Sequence, residues 1–171
     1  MRYRTRAGTI AALAVTVAVM VAGCGSGSAA EPTRQTTATQ QTALLPSQQE
    51  IAALFPEWNT ALATGDPQKV ADLYAPDAVL LPTVSNEVRS NRAEIVDYFT
   101  KFLQSKPQGV IDDEAVDALD ADTAINTGVY TFTLTKDGKQ QQVKARYTFV
   151  YELIDGRWLI TNHHSSAMPE G

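Results

Sequence analysis

The sequence predicts an α+β domain, and two changes of pattern along the chain carry that prediction. Between residues 48 and 103 apolar side chains recur at helical spacing, whereas from 114 to 165 they alternate every second residue. Apart from a short strand at 78–81, helical spacing precedes strand spacing, so helices and strands are largely segregated rather than interleaved. That arrangement predicts three N-terminal helices packed on one face of an antiparallel sheet.

The elements follow in order. Ser47 and Glu50 have capping-box spacing ahead of Ile51, Leu54, Phe55, Trp58 and Leu62, which predicts a helix over 48–63 that Pro56 kinks or starts. After Gly65-Asp66-Pro67 a second helix carries Val70, Leu73 and Tyr74, and Ala78–Leu81 reads as a short buried strand. Asn91 caps a third helix, Arg92–Leu103, with Ile95, Phe99 and Phe102 on its apolar face. Tyr130, Phe132 and Leu134 alternate with threonines before the hairpin turn Lys136-Asp137-Gly138-Lys139. Ala145, Tyr147, Phe149, Tyr151 and Leu153 form the inward set of the next strand, and Asp155-Gly156 turns the chain into Trp158–Ser165.

The first 46 residues read differently. Arg2, Arg4 and Arg6 precede an apolar stretch from about Ile10 to Val21, shorter than the ~20 residues a bilayer span needs. The stretch ends Val21-Ala22-Gly23-Cys24, which resembles a bacterial lipobox. The expectation is a signal peptide at 1–23, a lipidated Cys24 with a flexible linker to residue 46, and a folded domain at 47–171. The protein would then be exported and anchored by lipid to the outer face of the bacterial cytoplasmic membrane. Residues 25–46 are rich in Gly, Ser, Thr, Gln and Ala, too poor in apolar bulk to offset their ordering entropy. Cys24 is the only cysteine, so no intramolecular disulfide can form and stability rests on the core.

The formal net charge is −5, and loss of the three leader arginines makes it more negative still. Nucleic-acid binding, which rests on lysine and arginine contacts to phosphate, is not expected. An acidic surface is also repelled by anionic headgroups, so the acyl chain on Cys24 would supply the membrane link.

The stretches NRAEIVDYFTKFL (91–103), ARYTFVYELIDGRWLI (145–160) and NHHSSAMP (162–169) resemble the nuclear transport factor 2-like, or SnoaL-like, superfamily. In particular they resemble bacterial relatives of the calcium/calmodulin-dependent protein kinase II association domain. The resemblance spans about residues 50–169 and implies a cone: a curved sheet around helices, a pocket inside, and dimerisation through the outer sheet face. The given residues hold no kinase segment. In the animal association domain pocket arginines receive small acidic ligands. With Asp155-Gly156-Arg157-Trp158 as anchor, those arginines fall on Tyr130, Phe149 and Ser165. The resemblance therefore implies an aromatic-lined, more apolar pocket, with Trp58 added from the first helix. Arg146 is out of phase with Tyr147 and Phe149 and belongs on the outer face.

His163 and His164 are the only histidines. As strand neighbours they point to opposite faces and cannot clasp one metal from one side. No metal or other cofactor is expected, and His163, in phase with Ser165, is the inward one. It is the best catalytic candidate, although a histidine merely hydrogen-bonded to Ser165, Ser166 or the backbone is the simpler explanation of the position. Asp77, Glu94 and Asp97, with Tyr74, Tyr98, Tyr130 and Tyr147 as donors, offer no motif-placed acid–base pair. The acidic run from Asp112 to Asp122 lacks calcium-loop spacing. The expected function is a tethered domain that binds a small, fairly apolar molecule or self-associates, as a homodimer or larger oligomer, without established catalysis. The alternatives are an acid–base enzyme acting on a carbonyl compound and a structural oligomerisation hub.

Overall fold

A computed structural model of the chain describes residues 44–169; the leader, Cys24 and residues 25–43 of the linker lie outside the described residues. The Ser47 side chain accepts from the Glu50 N–H at 3.1 Å and starts α1 (Gln48–Ala52). The helix expected over 48–63 is in fact two, because α2 (Leu54–Ala63) begins afresh after Ala53. Pro56 has no N–H to offer the Ala52 carbonyl, and it sits instead in the first turn of α2, where none is required. Asp66 then caps α3 (Pro67–Ala71) by accepting from the Gln68 N–H at 2.9 Å.

Tyr74 is not helical as its spacing suggested. It opens β1 (Tyr74–Leu81), which starts earlier than the strand expected at 78–81. The Ile160 N–H donates to the Leu73 carbonyl at 2.9 Å, so strand pairing takes over the backbone before a further helical turn can form. Asn91 caps α4 (Arg92–Phe102), whose Ile95 and Phe99 are buried. Strand β2 (Gln108–Ala118) also begins earlier than the alternation at 114 indicated. It is followed by β3 (Thr123–Lys136), β4 (Lys139–Ile154) and β5 (Arg157–Ala167).

The sheet order is β1-β5-β4-β3-β2. Strands β2 to β5 form the expected antiparallel meander. Strand β1 lies parallel to β5, with Leu80 opposite His163, so the sheet is mixed rather than wholly antiparallel. The meander leaves one edge of β5 open, and only a strand from the N-terminal half can close it. Asp137-Gly138 and Asp155-Gly156 have positive φ at both residues, the backbone that two-residue hairpin turns require.

One sheet face carries Tyr130, Phe132, Tyr147, Phe149, Tyr151 and Ile160 against Phe55, Trp58 and Leu62 of α2 and Ile95 and Phe99 of α4, all buried. Asn59 pins α2 to the start of β2: its amide nitrogen donates to the Gly109 carbonyl at 3.0 Å, and its carbonyl oxygen accepts the Gly109 N–H at 2.9 Å. Register slips lie between Ile111 and Asp113, between Val150 and Tyr151, and between Tyr74 and Val79. Such bulges bend strands and deepen their twist, which curves this sheet around the helices. At the first slip the Gly128 backbone presses on β2; a Cβ there would lie 1.9 Å from the Asp113 carbonyl oxygen. Gly128→Ala is expected to destabilise the fold by about 3 kcal/mol, read as a lower urea midpoint; an unchanged midpoint would show that the bulge yields freely.

Candidate functional site

The inward face of β5 meets α2 and β1 at His163. Trp58 Nε1–H donates to the Tyr74 hydroxyl oxygen at 3.1 Å, and that oxygen lies 2.9 Å from His163 Nδ1. If the Tyr74 hydroxyl hydrogen goes to Nδ1, every polar atom of the relay except His163 Nε2 has a partner. The reverse tautomer would strand the tyrosine hydrogen as well. The favoured arrangement is therefore Trp58 to Tyr74 to His163, with the imidazole proton on Nε2.

His163 is 3% exposed. Its ring stacks on Phe149 with centroids 4.0 Å apart and receives the edge of Trp58 at 5.4 Å. Burial, with His164 as a smaller cause, pushes its pKa down to about 3. Burial likewise raises the Tyr74 and Tyr130 phenols well above their ordinary range. Nε2 has no hydrogen-bond partner among the described residues. A buried unmatched polar group of this kind costs about 1–3 kcal/mol.

Beside His163 a hydroxyl chain crosses from the sheet to the loop after β1. Tyr130 donates to Ser165 Oγ at 2.5 Å, and Ser165 pairs with the Thr83 hydroxyl. Between this chain and α4 lies a cavity of about 30 Å³, lined by Trp58, Leu80, Phe99, Phe132, His163 and Ser165, among others, with Tyr130, Thr83 and Val84. It holds about two water molecules. Trp58, Tyr130, His163 and Ser165 thus line one space, whereas Phe149 is fully buried beneath the His163 ring and stands behind it. Tyr98, a donor candidate from sequence, also lines it, as do Leu80, Thr83 and Phe102, which were not candidates. Thr83 sits in a loop without periodicity and left no signal there.

The carboxylates lie elsewhere. Asp97 pairs with Arg89 at 3.4 Å and Lys101 at 3.0 Å, and Asp77 is exposed. Glu94 accepts the Ser90 N–H at 2.8 Å, a bond that lowers its carboxyl pKa. Among the described residues, no acidic or basic side chain other than neutral His163 lines the cavity. His164 is exposed on the opposite face of β5, as is Arg146 on that face of β4. Among the described residues no group of three or more His, Cys, Asp or Glu could hold a metal ion.

The depressed His163 pKa has a consequence for stability. Above pH ~6.5 the ring is neutral in both folded and unfolded chains, and its burial carries no proton penalty. As pH falls from there toward 3, the unfolded chain takes up a proton that the folded one refuses, so stability drops by up to about 1.4 kcal/mol per pH unit. His163→Gln should flatten that slope in urea titrations. NMR of the native protein should show the His163 ring signals unchanged from pH 8 to pH 5; a midpoint near 6 would show the ring to be open to water.

Comparison with known proteins agrees with this architecture. The calcium/calmodulin dependent protein kinase II association domain family matches residues 47–169. A crystal structure from Xanthomonas campestris, described as that association domain, is 63% identical with a TM-score of 0.72, covering 76% of this chain and 96% of its own. A nuclear transport factor 2-like protein with a cystatin-like fold from Novosphingobium aromaticivorans is 13% identical, with a TM-score of 0.60 over 72% of this chain and 82% of its own. A structure from Streptomyces avermitilis described as a dehydratase of the same broad family is 17% identical, with a TM-score of 0.63 over 71% of this chain and 97% of its own. The last two share the fold alone. No curated protein matches the chain. With residues 47–169 matched and a relative 63% identical over 76% of the chain, the chain belongs to the calcium/calmodulin dependent protein kinase II association domain family.

Proposed function

We propose that the chain is a membrane-tethered assembly domain, which self-associates through the outer face of its sheet and keeps a narrow apolar pocket for a small molecule inside its cone. The observation that carries this reading is the contrast between the two sheet faces. The inner face is packed with aromatic rings around a cavity of only about 30 Å³, against the ~300–1,000 Å³ of ordinary ligand sites. The outer face presents Ile125, Thr127, Val129, Thr148, Val150 and Asn162, all half-exposed and uncharged, with Arg146 beside them. Cross-strand neighbours Thr127 and Thr148, and Ile125 and Val150, make this a continuous strip. Depletion of charge at the centre of a surface is the compositional mark of interface cores, and the family's description as an association domain supports the same use.

Acid–base catalysis is the weaker reading, even though the Streptomyces avermitilis fold neighbour is described as a dehydratase. A base works best when its pKa lies near the working pH. Burial moves His163 far below that and the tyrosines far above it, and no carboxylate lines the cavity. The lipobox-like run ending at Cys24 supports the tether, and a linker of low apolar content would hold the domain clear of the bilayer. Among the described residues no helix is long and apolar enough to cross a membrane.

Light scattering on residues 47–171 is expected to give at least twice the mass of one chain. Val129→Glu with Val150→Glu should reduce it to one, with the circular dichroism spectrum retained; a monomeric wild type would overturn the assembly reading. Cys24→Ala should move the full-length protein from the membrane fraction to the soluble exported fraction and abolish labelling by fatty acid. Unchanged fractionation would remove the tether from the proposal.

A further inference from the structure

The cavity beside His163 combines three features that define a ligand class. Its walls are aromatic and aliphatic, with Trp58, Phe99, Phe102 and Phe132 presenting rings to it. It contains no charged side chain, so a charged ligand would lose its hydration without gaining a counter-ion. Its wall also includes a fully buried imidazole whose Nδ1 is engaged by Tyr74, a residue behind the cavity wall, while Nε2 has no partner among the described residues. Because Tyr74 receives the Trp58 N–H and gives its own hydrogen to Nδ1, the unpartnered Nε2 is an N–H donor rather than an acceptor.

We propose that this cavity binds a small, uncharged, predominantly apolar molecule carrying one hydrogen-bond acceptor, such as a carbonyl oxygen, which accepts from His163 Nε2–H. The inference rests on the interior being a binding pocket, as argued above, and adds the ligand's charge, its polarity and the residue that orients it. The match is one-to-one. A hydrocarbon leaves the donor unmatched, an anion finds no cation, and a neutral acceptor satisfies both requirements.

Size sets a further condition. About 30 Å³ is smaller than any such molecule, so entry requires one wall to move. The wall with least support is the loop Pro82–Val88. It is closed at its base by the paired Leu80 and Arg89 backbones and held across the cavity by the Thr83–Ser165 hydroxyl pair. Val84 and Val88 on this loop are each 56% exposed, so displacing them uncovers little that is now buried. Ligand entry therefore breaks the Thr83–Ser165 pair and swings Val84 outward. Thr83→Val, which removes that bond, should strengthen binding several-fold by favouring the open loop.

The test uses the full-length chain and three probes of similar shape: acetophenone, ethylbenzene and benzoate. Binding is followed by calorimetry and by the ¹⁵N-labelled imidazole resonances of His163. Acetophenone is expected to bind and to shift the Nε2–H signal, ethylbenzene to bind at least tenfold more weakly, and benzoate not to bind. In His163→Phe the preference for acetophenone over ethylbenzene should vanish. Equal binding of acetophenone and ethylbenzene by the native chain would overturn the acceptor assignment while leaving the pocket standing. Benzoate binding as tightly as acetophenone would overturn the uncharged class. If none binds at millimolar concentration, the pocket and the inference both fail, and Nε2 is satisfied by water alone. The wild-type resonance shift decides the matter even where the His163→Phe chain does not fold.

Discussion

The indole of Trp58 locates the two layers of this domain relative to each other. It meets Phe99 of α4, Phe132 of β3, Phe149 of β4 and His163 of β5 at steep interplanar angles and with centroids 5.4–6.3 Å apart. Edge-to-face pairs of this kind add modestly to area burial, but they are directional. Its one N–H is committed to Tyr74 on β1. A single side chain on α2 thus fixes the approach of a helix and four strands, and through Tyr74 it also sets which nitrogen of His163 carries the proton. The chemistry of the interior follows from that choice.

The same burial decides what the interior can do. Taking an imidazole and several phenols out of water disfavours their charged forms, so their proton affinities move apart and away from neutrality. A site built this way is a poor proton shuttle and a good place for an uncharged acceptor. Most polar groups here are spent on one another, in the Trp58–Tyr74–His163 relay and the Tyr130–Ser165–Thr83 chain, while His163 Nε2 and the buried Tyr151 hydroxyl are left over among the described residues. The outer face of the sheet keeps an uncharged strip of half-exposed, mostly β-branched residues.

Curvature connects these two faces. Register slips in β1, β2 and β5 bend the strands, and close approaches such as Gly128 against Asp113 allow the bend without an intervening side chain. Asn59 repeats the principle at the layer interface, where its amide supplies the donor and acceptor that a neighbouring strand would have given Gly109. A flat sheet would offer the aromatic side chains no concavity to fill.

Periodicity and local cap and turn chemistry made the α+β class, the caps at Ser47 and Asn91 and both tight turns legible, because these depend on residues within a few positions of one another, whereas the pocket positions Tyr130, Phe149 and Ser165 came from the family resemblance. The resemblance to the association domain family was legible for the same reason, in three short stretches of the second half and α4. The strand start at Tyr74, the early start of β2 and the parallel pairing of β1 with β5 were not. Each is settled by a partner far along the chain: Ile160 for the start of β1, His163 for Leu80, and Phe132 for Gly109. The cavity belongs to the same class. Trp58, Tyr74, Thr83 and His163 come from four separate segments, and their meeting depends on how helices and sheet close on each other. The sequence by itself determined which residues face inward; only the tertiary structure decided how much room they leave, since that space is the small difference between large packed volumes.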